Sequence, residues 1–140
     1  MTIALRRPAP LADLAPMLAH GFHGGAAAKV GVYEAAARHA GLTRSWGAWR
    51  GDVCVACGGL YAVSDLAFEA WFACRPEAAR AIGSIARQAR LTLSLIVETE
   101  RVEIFARVAA GWRPGQRLAR ALGFTLLEAG PVERWGLCPT

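Results

Sequence analysis

The stretch Pro114-Gly115-Gln116-Arg117-Leu118-Ala119-Arg120-Ala121-Leu122-Gly123-Phe124-Thr125-Leu126-Leu127-Glu128 carries the clearest structural statement in the chain. Pro114 suits the first turn of a helix, where an N–H would have no internal partner. Leu118, Ala121 and Leu122 recur at helical spacing as an inward face, with Arg113, Arg117 and Arg120 outward. Gly123 reads as the C′ residue that ends the helix, and Phe124 to Glu128 as a returning strand. Just upstream, Arg101-Val102-Glu103-Ile104-Phe105-Ala106-Arg107 alternates and predicts another strand. A strand-helix-strand unit of this kind specifies an α/β domain.

Working outward, Val132 to Leu137 predicts a final edge strand, and Pro76 opens an earlier helix with Glu77 in its first turn. Ala79, Ile82, Ile85 and Ala86 form one face of that helix, continued by Leu91 and Leu93 to an end near Leu95. Arg80, Arg87 and Arg90 lie on another face. Before it, Ala67 to Cys74 holds Phe68, Trp71 and Phe72 and predicts a central strand. Ser45 to Trp49 and Val53 to Leu60 flank Arg50-Gly51-Asp52 and read as a β-hairpin. Further back lie a short strand from Ile3 to Arg6, a helix around Leu11, Leu14, Met17 and Leu18 that Pro16 kinks or shortens, and a helix from Ala27 to Ala40. The expected architecture is one α/β (α+β) domain over residues 1–140, with a mixed central sheet of about six or seven strands and helices on both faces.

The totals bound the function. The apolar runs stop short of the roughly 20 residues a membrane span needs, and Met1 to Pro10 lacks a signal-peptide h-region, so a cytoplasmic product without a membrane partner is expected. The net charge of +5 comes from scattered arginines and a single lysine, Lys29. Such a charge suits a phosphate-bearing partner, but the scatter reads as solubility and argues against nucleic acid. Cys54-Val55-Ala56-Cys57 has the C-x-x-C spacing inside a strand, where regular alternation sends the two side chains to opposite faces. No second cysteine pair or nearby histidine completes a zinc set, and His20, His23 and His39 lack a carboxylate cluster, so no metal is expected. Trp46, Trp49 and Trp71 are placed in the core, and Trp112 and Trp135 near element ends, where an indole can serve an interface.

This order, closing on Leu122-Gly123-Phe124, resembles the GNAT acyltransferase superfamily. It looks closest to short GNAT-like proteins of tailed phages and prophages, through Val55-Ala56-Cys57-Gly58-Gly59-Leu60, the aromatic strand around Glu69-Ala70-Trp71-Phe72 and the arginine-bearing helix after it. The resemblance implies a site for acetyl-CoA. Its phosphates would meet Arg75, Arg80, Gly83 and Ser84, and its acyl group would lie beside the strand carrying Trp71, Phe72 and Cys74. Glu69 or Glu103 is the implied general base. Two parts depart from the family pattern. Only Gly83 survives of the Gly-x-Gly phosphate loop, and Ala119 stands where the family carries the tyrosine that protonates the departing thiolate. The expectation is a degenerate acetyl-CoA site in a pseudoenzyme that binds protein partners, as a virion-associated or assembly protein. The alternative is an active N-acetyltransferase with a remodelled phosphate loop.

Overall fold

The computed structural model describes residues 2–20, 22–23 and 44–140, so the helix expected over residues 27–40 lies outside the described part. The chain runs β1 (Ala4–Arg6), α1 (Leu11–His20), β2 (Phe22–His23), β3 (Ser45–Arg50), β4 (Val53–Ser64) and β5 (Ala67–Cys74). A 3-10 turn, Pro76–Ala81, then leads into α2 (Ile82–Glu100), β6 (Glu103–Ala109), α3 (Arg113–Ala121), β7 (Thr125–Glu128) and β8 (Val132–Leu137). The strands form one sheet in the order β1-β3-β4-β5-β6-β8-β7, with β2 pairing β5 off that path. Every pairing is antiparallel except β5 with β6, which α2 connects as a crossover. This is the mixed sheet that the sequence predicts, including its final strand.

Helices cover both faces. Leu14 and Met17 of α1 pack on Cys57, Trp71 and Ala73 on one side. On the other, Ile85 of α2 packs on Ala48, Ala56 and Cys74, while Leu93, Val97 and Ala119 pack on Leu60, Ile104, Val108 and Trp135. α1 continues through Pro16 to His20. Gly123 has φ +92° and closes α3, its N–H bonded to the Arg120 carbonyl at 2.9 Å.

Several expectations are corrected by geometry. The segment from Pro76 begins as a 3-10 turn, whose tighter winding buries Ala78 and leaves Ala79 exposed. α2 runs on to Glu100, and its buried line is Ile85, Ala86, Leu93 and Val97. Leu91 lies two residues, about 200° around the helix, from Leu93; it is 73% exposed, and Leu95 is 68% exposed. In α3 the same phase argument buries Ala119 and turns Ala121 outward. The hairpin turn is Gly51-Asp52, since Arg50 pairs with Val53. Trp135 is buried against α3 instead of serving an exposed edge, with the Arg120 guanidinium 5.2 Å above its ring.

The largest correction concerns Cys54 and Cys57. Ala48 pairs with Ala56 but Trp49 pairs with Cys54, so Val55 is an extra residue in β4, a β-bulge. The bulge shifts the alternation by one and puts both cysteines on the α1 face, their Sγ atoms 3.8 Å apart. Both remain reduced and buried, as is Cys74, while Cys138 is exposed.

One residue of β4 is fixed by its neighbour's size. A Cβ on Gly59 would meet the Trp71 ring at 2.7 Å. Gly59→Ala is therefore expected to cost about 1–3 kcal/mol in urea denaturation. Gly83→Ala, where a Cβ meets nothing within 4 Å, is expected to gain roughly 0.5 kcal/mol from helix propensity.

Candidate functional site

The ladder between β5 and β6 is short. Ala67, Phe68 and Glu69 pair with Glu103, Ile104 and Phe105, and there it stops. Beyond that point β5 runs on along β4, and its end is bordered by Phe22–His23, paired with Cys74 and Ala73. β6 runs on along β8 alone. Between the two edges, around Ala70–Phe72 and Ala106–Val108, the sheet is open.

An apolar cavity of about 120 Å³ lies over this opening on the face covered by α2 and α3. Phe72, Ala70, Ala106 and Val108 contribute from the strands, Ala86, Ala89 and Thr92 from α2, and Trp112, Gly115, Leu118 and Ala119 from α3 and its start. The space exists because small side chains face one another across it. Ala119 is 4% exposed and stands in the cavity wall, so the position that carries a tyrosine in the resembled family points at this space. Tyr61 does not replace it, since it sits in β4 on the opposite side of the sheet; Tyr33 lies outside the described residues.

The other face of the opening is polar. Glu69, the last β5 residue on the ladder, meets the Arg107 guanidinium at 3.3 Å, a pair that joins the two strands as they part. Glu103 is 3.3 Å from Arg134, whose guanidinium also lies 4.8 Å over the Phe105 ring. Both sequence-predicted carboxylates thus face the same side, each already holding an arginine. Glu69 borders the opening, whereas Glu103 lies at the closed end of the ladder.

The expected phosphate-binding residues are split. Arg75 is committed to the protein: its guanidinium meets Asp13 of α1 at 2.6 Å and donates to the Cys54 carbonyl at 3.0 Å, and its N–H donates to the Val55 carbonyl at 2.8 Å. Arg80 and Gly83 are exposed, with open space over Gly83. Ser84 is half-buried beside Gln88, at 3.5 Å. Trp71 and Phe72 line the cavity, whereas Cys74 is buried under Ala78 and Ile85. Trp71 points to the α1 face, and its buried Nε1–H has no hydrogen-bond partner among the described residues.

Arg107 and the small residues of the cavity are what sequence reasoning missed. The alanines at 86 and 89 and the Gly115/Ala119 pair, four apart in α3, were the available signal, since small residues at helical spacing leave room beside a sheet. Among the described residues no group of three histidine, cysteine or carboxylate side chains could hold a metal, and no helix is long and apolar enough to cross a membrane.

At the level of sequence the chain matches no family model and no curated protein. Solved structures match its fold along nearly its whole length. A GNAT-family protein from Desulfovibrio desulfuricans superposes with a TM-score of 0.68 at 17% identity, covering 98% of this chain and 99% of its own. The GNAT-family acetyltransferase from Bacillus anthracis gives 0.67 at 10% identity, covering 99% and 95%. The Campylobacter jejuni N-acetyltransferase PseH in complex with acetyl coenzyme A gives 0.57 at 8% identity, covering 81% and 79%.

The Arg75 contacts yield a prediction. Asp13 and Arg75 side chains are each 30% exposed, so solvent screens their pairing. A double-mutant cycle with Asp13→Ala and Arg75→Ala should give a coupling of about 1 kcal/mol or less. Arg75→Ala alone should cost more than Asp13→Ala, because it also frees the Cys54 carbonyl. Together, these observations give the chain the fold of the GNAT acetyltransferases, with an apolar cleft at its parted central strands.

Proposed function

We propose that the chain binds CoA or acetyl-CoA at the parted strands and acts by binding, its acyl-transfer machinery lost. The observation that carries this reading is the apolar cavity over the opening with Ala119 in its wall. Its chemistry suits the pantetheine arm: apolar walls for the methylenes, and strand edges around Ala70–Phe72 and Ala106–Val108 for the amides. At the phosphate end, exposed Arg80 and the open space over Gly83 lie at the start of α2, where backbone N–H groups and the helix dipole favour an anion. Arg75 is held by Asp13 and contributes to the shape of the turn.

What the cleft lacks is a proton donor on α3. Ala119 supplies none, and the neighbouring Gly115, Leu118 and Leu122 supply none either. A thiolate leaving from this site would depart without acid from that helix. The resemblance to phage-encoded chains supports placing such a binder among virion-associated or assembly proteins, with protein partners.

One observation favours a second reading, an active N-acetyltransferase. Glu69 borders the opening on the face away from the cavity, where its carboxylate could take a proton from an acceptor amine while Arg107 orients it. The two readings share a ligand and differ in turnover.

Calorimetric titration with acetyl-CoA and with CoA tests the shared part. Binding is expected with both, and Ala106→Trp, which fills the opening, should weaken it by about tenfold or more with the fold intact by circular dichroism. Absence of heat with either ligand overturns the assignment. Free CoA release measured with a thiol reagent and a panel of primary amines should stay at background. Amine-dependent release that Glu69→Gln abolishes would make the second reading the correct one.

A further inference from the structure

We infer that Cys54 and Cys57 are a redox-active dithiol that closes to an internal disulfide, a modification site separate from the cleft chemistry. The bulge at Val55 is the reason. In a regular strand the two side chains would face opposite ways, but here both project beneath α1 with Sγ atoms 3.8 Å apart. That is contact distance for reduced sulfurs, against about 2.05 Å in a disulfide.

The polarity of the pair is set by its hydrogen bonds. The Cys54 S–H donates to the Ala56 carbonyl at 3.2 Å, which leaves its sulfur to accept from the Cys57 S–H. The bond from Cys57 holds the Cys54 thiol below the ordinary range, against burial and the Asp13 carboxylate, with the Arg75 guanidinium acting in the same direction. The same bond, together with burial, pushes the Cys57 thiol up. The donor order orients the pair with Cys54 as the attacking sulfur and Cys57 as the resolving one.

The step balances with a low-molecular-weight disulfide as oxidant. The Cys54 thiolate attacks one sulfur of that disulfide and expels one thiolate. Cys57 then loses its proton to solvent and attacks the Cys54 sulfur, expelling the second thiolate. Two protein thiols and one small disulfide become one protein disulfide and two small thiols. No third metal ligand accompanies the pair among the described residues.

Access comes from α1, which covers the sulfurs through Leu14 and Met17. Pro16 in its middle supplies no N–H to the Ala12 carbonyl, so this cover lacks one helical bond. Its ion pair to Arg75 is partly solvated. Opening of such a segment exposes the sulfurs without unfolding the sheet.

The test uses the full chain carrying Cys74→Ala and Cys138→Ser, which leaves Cys54 and Cys57 as the only thiols. After incubation with oxidised glutathione, the intact mass should fall by two hydrogens. Maleimide labelling under denaturing conditions should drop from two sites to none, and dithiothreitol should restore both. The unsubstituted chain, digested and fragmented in parallel, should show the bond between Cys54 and Cys57, which keeps the test valid if the substitutions disturb folding. Two labelled sites after oxidation, a persistent glutathione adduct, or a bond to Cys74 instead would each overturn the proposal. None of these readouts depends on CoA, so loss of the cleft assignment and loss of the dithiol are separately visible.

Discussion

The structure turns on a ladder that stops. β5 and β6 share pairs only at Ala67–Glu69 with Glu103–Phe105, the single parallel junction in an otherwise antiparallel sheet. A parallel junction requires a crossover, and α2 supplies it: 19 residues of helix span about 28 Å, close to the length of the eight-residue strand it follows. Once the strands part, their edge groups need partners that the sheet no longer provides. Phe22–His23 takes the end of β5, and β8 takes the outer edge of β6. The stretch between remains open, and the helices on one side and the Glu69–Arg107 pair on the other shape what can enter it.

Ala119 bears on both the volume and the chemistry of the cavity. A tyrosine at position 119 would place a ring and a hydroxyl where Ala119 now leaves space against Ala89 and Val108. An alanine there brings no proton donor and leaves more apolar volume than a tyrosine would. Apolar walls of this kind suit a chain of methylenes. Arg75 obeys a parallel logic: bound to Asp13 and two β4 carbonyls, it positions the turn before α2 instead of reaching for a ligand.

Much of the architecture was legible because local signals agreed with the global fold. Pro114, Gly123 and the apolar spacing between them mark α3 without help from tertiary contacts. The aromatic run of β5 announces a strand buried in the sheet's middle. The errors share a cause, phase. The 3-10 turn at Pro76–Ala81 turns Ala79 outward, and the regular winding of α2 puts Leu91 about 240° around the helix from Ile85. The site was legible only in part. Glu69 sits beside the opening as its place in β5 implies, but no periodicity could show that the ladder ends there, or that Arg107 would lie across from it. Where two strands cease to pair depends on contacts from the whole sheet.

The bulge in β4 shows how far one unpaired residue reaches. Val55 enters the strand without a partner on β3, and that one insertion has three consequences. Cys54 turns onto the face of Cys57. The carbonyls of Cys54 and Val55 are aimed at Arg75, fixing the start of the turn that precedes α2. Val55 itself joins Ala56 on the α2 side, packing with Ile85 and Ala78. The sulfur pair, the arginine and the approach to α2 are therefore one mechanical unit. A bond closed between Cys54 and Cys57 acts on the same backbone that holds Arg75. The sequence pattern C-x-x-C carries no such content in a straight strand, and the bulge gives it a geometry.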